Sequence, residues 1–301
     1  MATAEDTRVH ASATEPSPGG MVPDRPADGG LALAGPGSGG PIGVGGHRIS
    51  PWKFQLQVLK ALILREMTAR HGESRLGYLL SLIAPILFIS LIFAMMGLRG
   101  RLSVSTYPQV LFLLTGWPMW IAFRAVFDRA ANTGSRNSPL MMFPQITQLD
   151  LIFAAIILEA ATNLVVFLLV VALAMVVFKP PFPDDPVGVL LCYGGCVWLG
   201  AGVGMGFCAV ERIFPIINNF MRPLIRVGMW ISGTAFMAGS MPGWLLPYLS
   251  WNPIFHCVEG ARELWYGVYQ SPIFDPGYII AVGFCVTTAG LVLERVSRRF
   301  A

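Results

Sequence analysis

Long apolar runs, nearly free of charge, constrain this chain more than any other feature. They lie near 76–98, 108–127, 151–178, 187–210, 223–240 and 277–293. Each approaches the roughly 20 apolar residues that a helix needs to cross a bilayer core. Charged residues make up 13% of the chain, against roughly 25% in a soluble domain, and the runs account for the deficit. In hydrocarbon every backbone polar group must be bonded within the protein. The runs therefore predict an all-α integral membrane fold with six transmembrane helices. Pro85 and Pro118 fall inside the first two and predict kinks there.

Orientation follows from the basic residues. With the N-terminus inside and the spans alternating, 14 Lys and Arg beyond the N-terminal tail fall inside and 4 outside. Cytoplasmic loops carry such an excess, so both termini are expected in the cytoplasm, with an even number of spans.

The flanking segments differ in kind. Residues 1–48 hold 11 of the 33 glycines and no aromatic residue. Such a stretch cannot bury enough apolar surface to offset its ordering entropy. It reads as a disordered Gly/Pro/Ala-rich cytoplasmic tail, with the membrane domain spanning 49–301. Its apolar stretch, Leu31 to Ala34, is too short for a signal-peptide core. No glycine-rich phosphate-binding loop ending in Lys-Ser or Lys-Thr occurs in the chain, so ATP is not cradled here by that route. Residues 52–70 read as a basic amphipathic helix lying in the membrane interface. Its apolar stripe is Trp52, Leu56, Leu59, Ile63 and Met67. Met241 to Asp275 contains Pro242, Pro247, Pro253 and Pro272, yet stays apolar and aromatic. It predicts a re-entrant outer segment between spans five and six, of one or two short helices. Non-helical backbone at that depth requires protein or a water-filled path beside it.

The ordered landmarks resemble those of polysaccharide-type ABC exporter permeases. ALILREMTARHGESRLGYLLSLIAPIL (61–87) is similar to the segment leading into that family's first span, and VLFLLTGWPMWIAF (110–123) to its second. NTGSRNSPLMMFPQITQLDLI (132–152) resembles its cytoplasmic loop. FPIINNFMRPL (214–224) and WNPIFHCVEGARELWYGVY (251–269) resemble its later landmarks, including an NP-x-x-H-x-x-E-x-x-R outer helix. The likeness covers roughly 52–299 and is nearer to capsular polysaccharide exporters than to O-antigen exporters. It implies the membrane subunit of an ATP-driven exporter in the bacterial inner membrane, working as a homodimer with two copies of a cytoplasmic ATP-binding subunit. It also implies a polysaccharide or lipid-linked glycan as cargo, with periplasmic export proteins as further partners. One departure stands out. Many relatives carry Arg before a Glu early in span three, where this chain has Ala155 and Glu159. No Arg–Glu pair carries over.

Candidate sites follow. Glu159 is the acid that lies within an apolar span, where charge is costly and faces a bundle interior or aqueous path. Trp244, Tyr248, Trp251, Trp265, Tyr266 and Tyr269 offer flat faces to sugar rings, or form an interfacial aromatic belt. Trp117 and Trp120 are further pathway aromatics. His256, Glu259, Arg262 and Glu263 share one face of a short outer helix. They mark a gate, a partner contact or a solvated face. Loop 128–150, with Arg129, Arg136 and Asp150, is the expected ATPase-coupling element, and helix 52–70 a second one. Gly200, Gly202, Gly204 and Gly206 permit close helix approach, within one chain or across a dimer. No catalytic constellation, cofactor site, metal site or nucleic-acid site is expected. A membrane-embedded transferase, or an exporter of lipid or drug cargo, are the alternative functions.

Overall fold

The computed structural model describes residues 51–71, 107–135, 147–234 and 236–298, together with positions 83, 87, 90 and 91. The tail, most of the expected first span, and Arg136 lie outside the described residues. Those described form helices and connecting loops. In order they are α1 (Pro51–His71), α2 (Tyr107–Ser135), α3 (Gln148–Phe178), α4 (Pro186–Ile213), α5 (Ile217–Ile231), α6 (Leu246–Leu249), α7 (Pro253–Tyr266) and α8 (Pro276–Ser297).

Local chemistry sets several of these boundaries. Proline lacks an N–H and has a fixed φ, which suits the first helical turn. Pro186, Pro253 and Pro276 open α4, α7 and α8, and the side chains of Asp185, Asn252 and Asp275 accept amides of the turns that follow. α3 starts with a capping box. The Asp150 amide donates to Thr147 Oγ1 at 3.3 Å, and the Thr147 amide returns to Asp150 Oδ2 at 2.9 Å.

Among the described residues, three helices, α3, α4 and α8, are long and apolar enough to cross a membrane. Only α4 is mostly covered by the chain itself. Leu168, Leu169 and Val176 of α3, and Phe284 and Val292 of α8, remain exposed, as lipid-facing helices require. α4 runs through the centre, with glycines on both sides. A methyl added at Gly200 would stand 2.5 Å from the Phe123 carbonyl of α2, and one at Gly204 would stand 2.7 Å from the Ala130 Cβ. Gly202 and Gly206 instead face α8, at Thr287 and Gly290. The glycine series thus packs within one chain, two residues toward each neighbour. These contacts keep α2, α4 and α8 parallel, with α3 antiparallel. The C-terminal ends of α2, α4 and α8 consequently gather at one end of the body beside the start of α3. That end carries Arg124, Arg129, Arg212, Arg295 and Arg298.

Two expected spans are redrawn. α2 runs to Ser135, so the expected coupling loop begins inside a helix and Arg129 is helical. The fifth helix is 15 residues long and ends at Ile231, not near 240. At 1.5 Å per residue that is about 22 Å, short of a ~30 Å hydrocarbon core. It stops because Gly233 takes a φ of 73°. A Cβ there would also collide with the Phe255 ring. The interfacial helix is rotated from its expected stripe. Leu62, with Val58, Leu59 and Ile63, packs on Leu151 and Ala154 of α3, while Leu56 and Met67 stay exposed. The start of α3 supplies the only apolar partner seen there among the described residues, and that partner selects the face.

Candidate functional site

The most heavily organised polar region lies where α5 breaks off. Between Ser232 and Asp275 the chain makes a short 3₁₀ turn, then α6, then α7, before α8 begins. This segment packs at the level of Phe112–Gly116 of α2. Arg262 lies 4.2 Å over the Phe112 ring, and a methyl on Gly116 would come within 3.0 Å of Arg262 Nη2.

Arg262 and Glu259 are the centre of this region, and both side chains are 0% exposed. Arg262 Nη1 donates to Glu259 Oε1 at 2.7 Å and to the Phe236 carbonyl at 2.8 Å. Its Nη2 donates to the Gly233 carbonyl at 2.6 Å. The guanidinium therefore satisfies carbonyls that α5 releases when its helix ends, which buried backbone demands. Its fork geometry lets one side chain reach both. Glu259 uses its other oxygen to accept Tyr269 Oη at 2.6 Å and Ser271 Oγ at 3.0 Å. Burial, then the Glu259 carboxylate, push the Tyr269 phenol up to about 12, so it remains the donor. Glu263 accepts the Ser271 amide at 2.9 Å. Asn252 caps α7 through Oδ1 and donates to Ser232 Oγ at 3.0 Å.

His256 fastens the other side. Its Nδ1 accepts the Asp275 amide at 3.2 Å, so Nε2 carries the hydrogen and donates to the Ser250 carbonyl at 2.8 Å. The shared face of His256, Glu259 and Arg262 is thus an internal brace and not a solvated surface; all three are buried.

The six outer aromatics divide. Trp244, Tyr248 and Trp251 are exposed. Trp265 is buried in the core and donates from Nε1 to the Pro181 carbonyl at 3.2 Å. Tyr266 is half-buried against the same core, and Tyr269 belongs to the Glu259 network. Beside the exposed set lies a cavity of about 590 Å³ lined by Ser250, Trp251, His256, Asp275 and Tyr278 among others. Trp117 and Trp120 line a separate cavity of about 350 Å³ with Arg124, Asp128 and Met229. Glu159 is half-buried on α3 and accepts Asn163 Nδ2 at 3.0 Å, one turn on. Ala155, in the place of the family's arginine, is itself buried.

At the basic end, Arg129 of α2 forms an ion pair with Glu66 of α1. Glu66 had entered the sequence reading only as part of a motif. Asp150 is accounted for by the α3 cap. Arg298 Nε pairs with buried Glu294 at 2.6 Å, and Arg212 Nη1 donates to Ser297 Oγ at 3.2 Å, tying α4 to α8. Ser250, Ser271, Asp275 and Tyr278 also went unselected. Asp-Pro-Gly at 275–277 was a readable helix start, but nothing local tied it to His256.

Residues 57–266 match the model of the ABC-2 type transporter family. The chain is 25% identical over 242 residues to the capsule polysaccharide export inner-membrane protein BexB of Haemophilus influenzae, covering 80% of this chain and 91% of that protein. It is 26% identical over 250 residues to its counterpart CtrC of Neisseria meningitidis, covering 82% and 94%. It is also 26% identical over 249 residues to the polysialic acid transport protein KpsM of Escherichia coli, covering 82% and 95%.

Proposed function

The chain belongs to the ABC-2 type transporter family, and from that premise we propose that it is the membrane subunit of an ATP-driven exporter of capsular or related surface polysaccharide. The observation that carries this reading is the extent of the match: the capsule-export relatives are covered over at least nine-tenths of their own length. The shared region is therefore nearly the whole of a permease subunit. The chain has no phosphate-binding loop, so ATP is hydrolysed on a separate cytoplasmic subunit. Two copies of that subunit serve two copies of this chain in the inner membrane, with six spans each and both termini inside.

In this reading the basic end faces the ATPase. The positive-inside bias supports that orientation. α1 and the chain between α2 and α3 receive the ATPase movement. At the opposite end the 232–275 segment re-enters the outer leaflet. Exposed Trp244, Tyr248 and Trp251 offer ring faces to emerging sugars, and periplasmic export proteins dock nearby. Trp117, Trp120 and Glu159 are candidates for the path across the membrane.

The test is deletion of the gene, with polysaccharide stained at the surface and inside the cell. Loss at the surface with polymer accumulating in the cytoplasm, reversed by the gene in trans, is the expected result. Unchanged surface polymer in a strain with no second exporter would overturn the cargo and leave an exporter of lipid or drug.

A further inference from the structure

We propose that the outer cavity of about 590 Å³ is a subsite for an uncharged sugar unit of the exported polymer, an assignment that rests on polysaccharide being the cargo. Its size lies within the roughly 300–1,000 Å³ of ligand pockets, and its walls are held in place before any ligand arrives. The Tyr278 ring lies 4.6 Å from the His256 ring, centroid to centroid, and the Tyr278 hydroxyl donates to the Trp251 carbonyl at 2.9 Å. With the two His256 bonds to Ser250 and Asp275, these contacts fix the turn after α6 to the start of α8. A preformed wall lowers the ordering cost of binding.

What the lining leaves over is one-sided. Ser250 Oγ gives its hydrogen to the Pro247 carbonyl, and Tyr278 gives its hydrogen to Trp251. Both hydroxyl oxygens keep lone pairs. Asp275 Oδ1 takes the Gly277 and Tyr278 amides, and Oδ2 takes no hydrogen bond from the described residues. No Lys or Arg among the described residues lines the cavity. Apart from the Trp251 indole N–H, the site offers acceptors and a negative charge, so its ligand must bring donors and no negative charge of its own. Sugar hydroxyls meet both conditions; a phosphate headgroup or a carboxylated sugar does not, because like charges at close range repel. Trp251, 80% exposed beside the cavity, supplies an apolar ring face against which the C–H side of a pyranose can lie.

The experiment is saturation-transfer NMR on the full chain with its ATPase subunits in lipid nanodiscs, using maltotetraose and, separately, tetragalacturonate. Maltotetraose is expected to bind and tetragalacturonate to bind more weakly. Trp251→Ala and Asp275→Asn are each expected to weaken maltotetraose about tenfold, or ~1.4 kcal/mol. Asparagine caps as well as aspartate, and Trp251 packs little, so both variants keep the fold, which an unchanged Tm verifies. Wild-type affinity in both variants, or tetragalacturonate binding as tightly as maltotetraose, would overturn the subsite. The same variants go into the deletion strain. If wild type restores surface polymer while the variants bind maltotetraose normally, only the subsite fails. If deletion leaves surface polymer unchanged, the cargo fails first and the subsite with it.

Discussion

The two ends of the helical body secure their chain by opposite means. At the outer end, Arg262 and Glu259 are withdrawn completely from solvent and joined to two carbonyls, a tyrosine and a serine. Where α1 joins the basic end, Glu66 and Arg129 keep 30% and 24% of their side chains exposed, beside a small apolar seam around Leu62. Separating a buried pair leaves bare charges without water. A partly exposed pair can exchange its partner for water at less cost. The outer segment is therefore built to move as a unit with α7 and the end of α5, whereas α1 can shift on α2 and α3. On the proposed orientation, this asymmetry sets compliance where force enters and rigid coupling where the path ends.

The largest expected effect tests the rigid end. Arg262→Met removes the cation and leaves Glu259 buried and unpaired, and the Gly233 and Phe236 carbonyls lose their donor. Breaking a buried pair in this way costs about 3–5 kcal/mol. A large fall in Tm and in folded yield is expected on thermal unfolding in detergent. Pairing it with Glu259→Gln should recover part of the loss, since the stranded charge is gone. Arg262→Lys should fall between, because an ammonium cannot hold the two carbonyls in one plane with the carboxylate. If Arg262→Met melts with wild type, the outer brace is not rigid and the contrast collapses.

The α4 glycines come next. Gly200→Val must push α2 away from a backbone carbonyl, and overpacking of this kind costs about 1–3 kcal/mol. Gly206→Ala is the control: its Cβ would sit 3.6 Å from Gly290 Cα. Alanine also gains up to about 1 kcal/mol over glycine in a helix interior. Gly206→Ala should therefore melt at or above wild type. Thr147→Ala loses the α3 N-cap at a cost of about 0.5–2 kcal/mol; amide exchange should quicken in the first turn of α3 and not along the helix.

Much of this was legible in the chain, for particular reasons. The third, fourth and sixth runs stood out because a nearly charge-free stretch of that length has few other uses, and helices α3, α4 and α8 fall where those runs lie. The break after Ile231 was not, because the residues on both sides are apolar and hydropathy does not register a change of φ at one glycine. The spacing of His256, Glu259 and Arg262 gave their common face but not its burial. Whether such a face is wet or dry depends on what covers it. Here the cover is Phe112, Gly233, Phe236 and Tyr269, from three other parts of the chain. The aromatic cluster could not be divided for the same reason: Trp251 and Trp265 are alike in sequence, and only packing makes one 80% exposed and the other 1%. Arg129 reads as loop in the sequence because a charged tail on an apolar run looks like its end; in the structure it lies inside α2 and pairs with Glu66 of α1.

That pair gives the smallest expected effect and the sharpest test of the contrast. Glu66→Gln removes one partner of a partly exposed ion pair, of a kind worth roughly 0.2–1 kcal/mol. Little change in Tm should follow, because Leu62 still packs on Leu151 and Ala154. Hydrogen exchange of α1 amides in nanodiscs should rise by about fivefold or less, the factor that 1 kcal/mol represents. The difference from wild type should shrink in high salt, which screens exposed charges. Glu66→Arg should do more, since it sets like charges against each other, and adding Arg129→Glu should restore the pair with its sign reversed. Recovery in the double variant would locate the effect in this contact and not in either helix alone. If Glu66→Gln instead frees α1 as completely as Arg262→Met frees the start of the 232–275 segment, the two ends are equally braced and the contrast collapses.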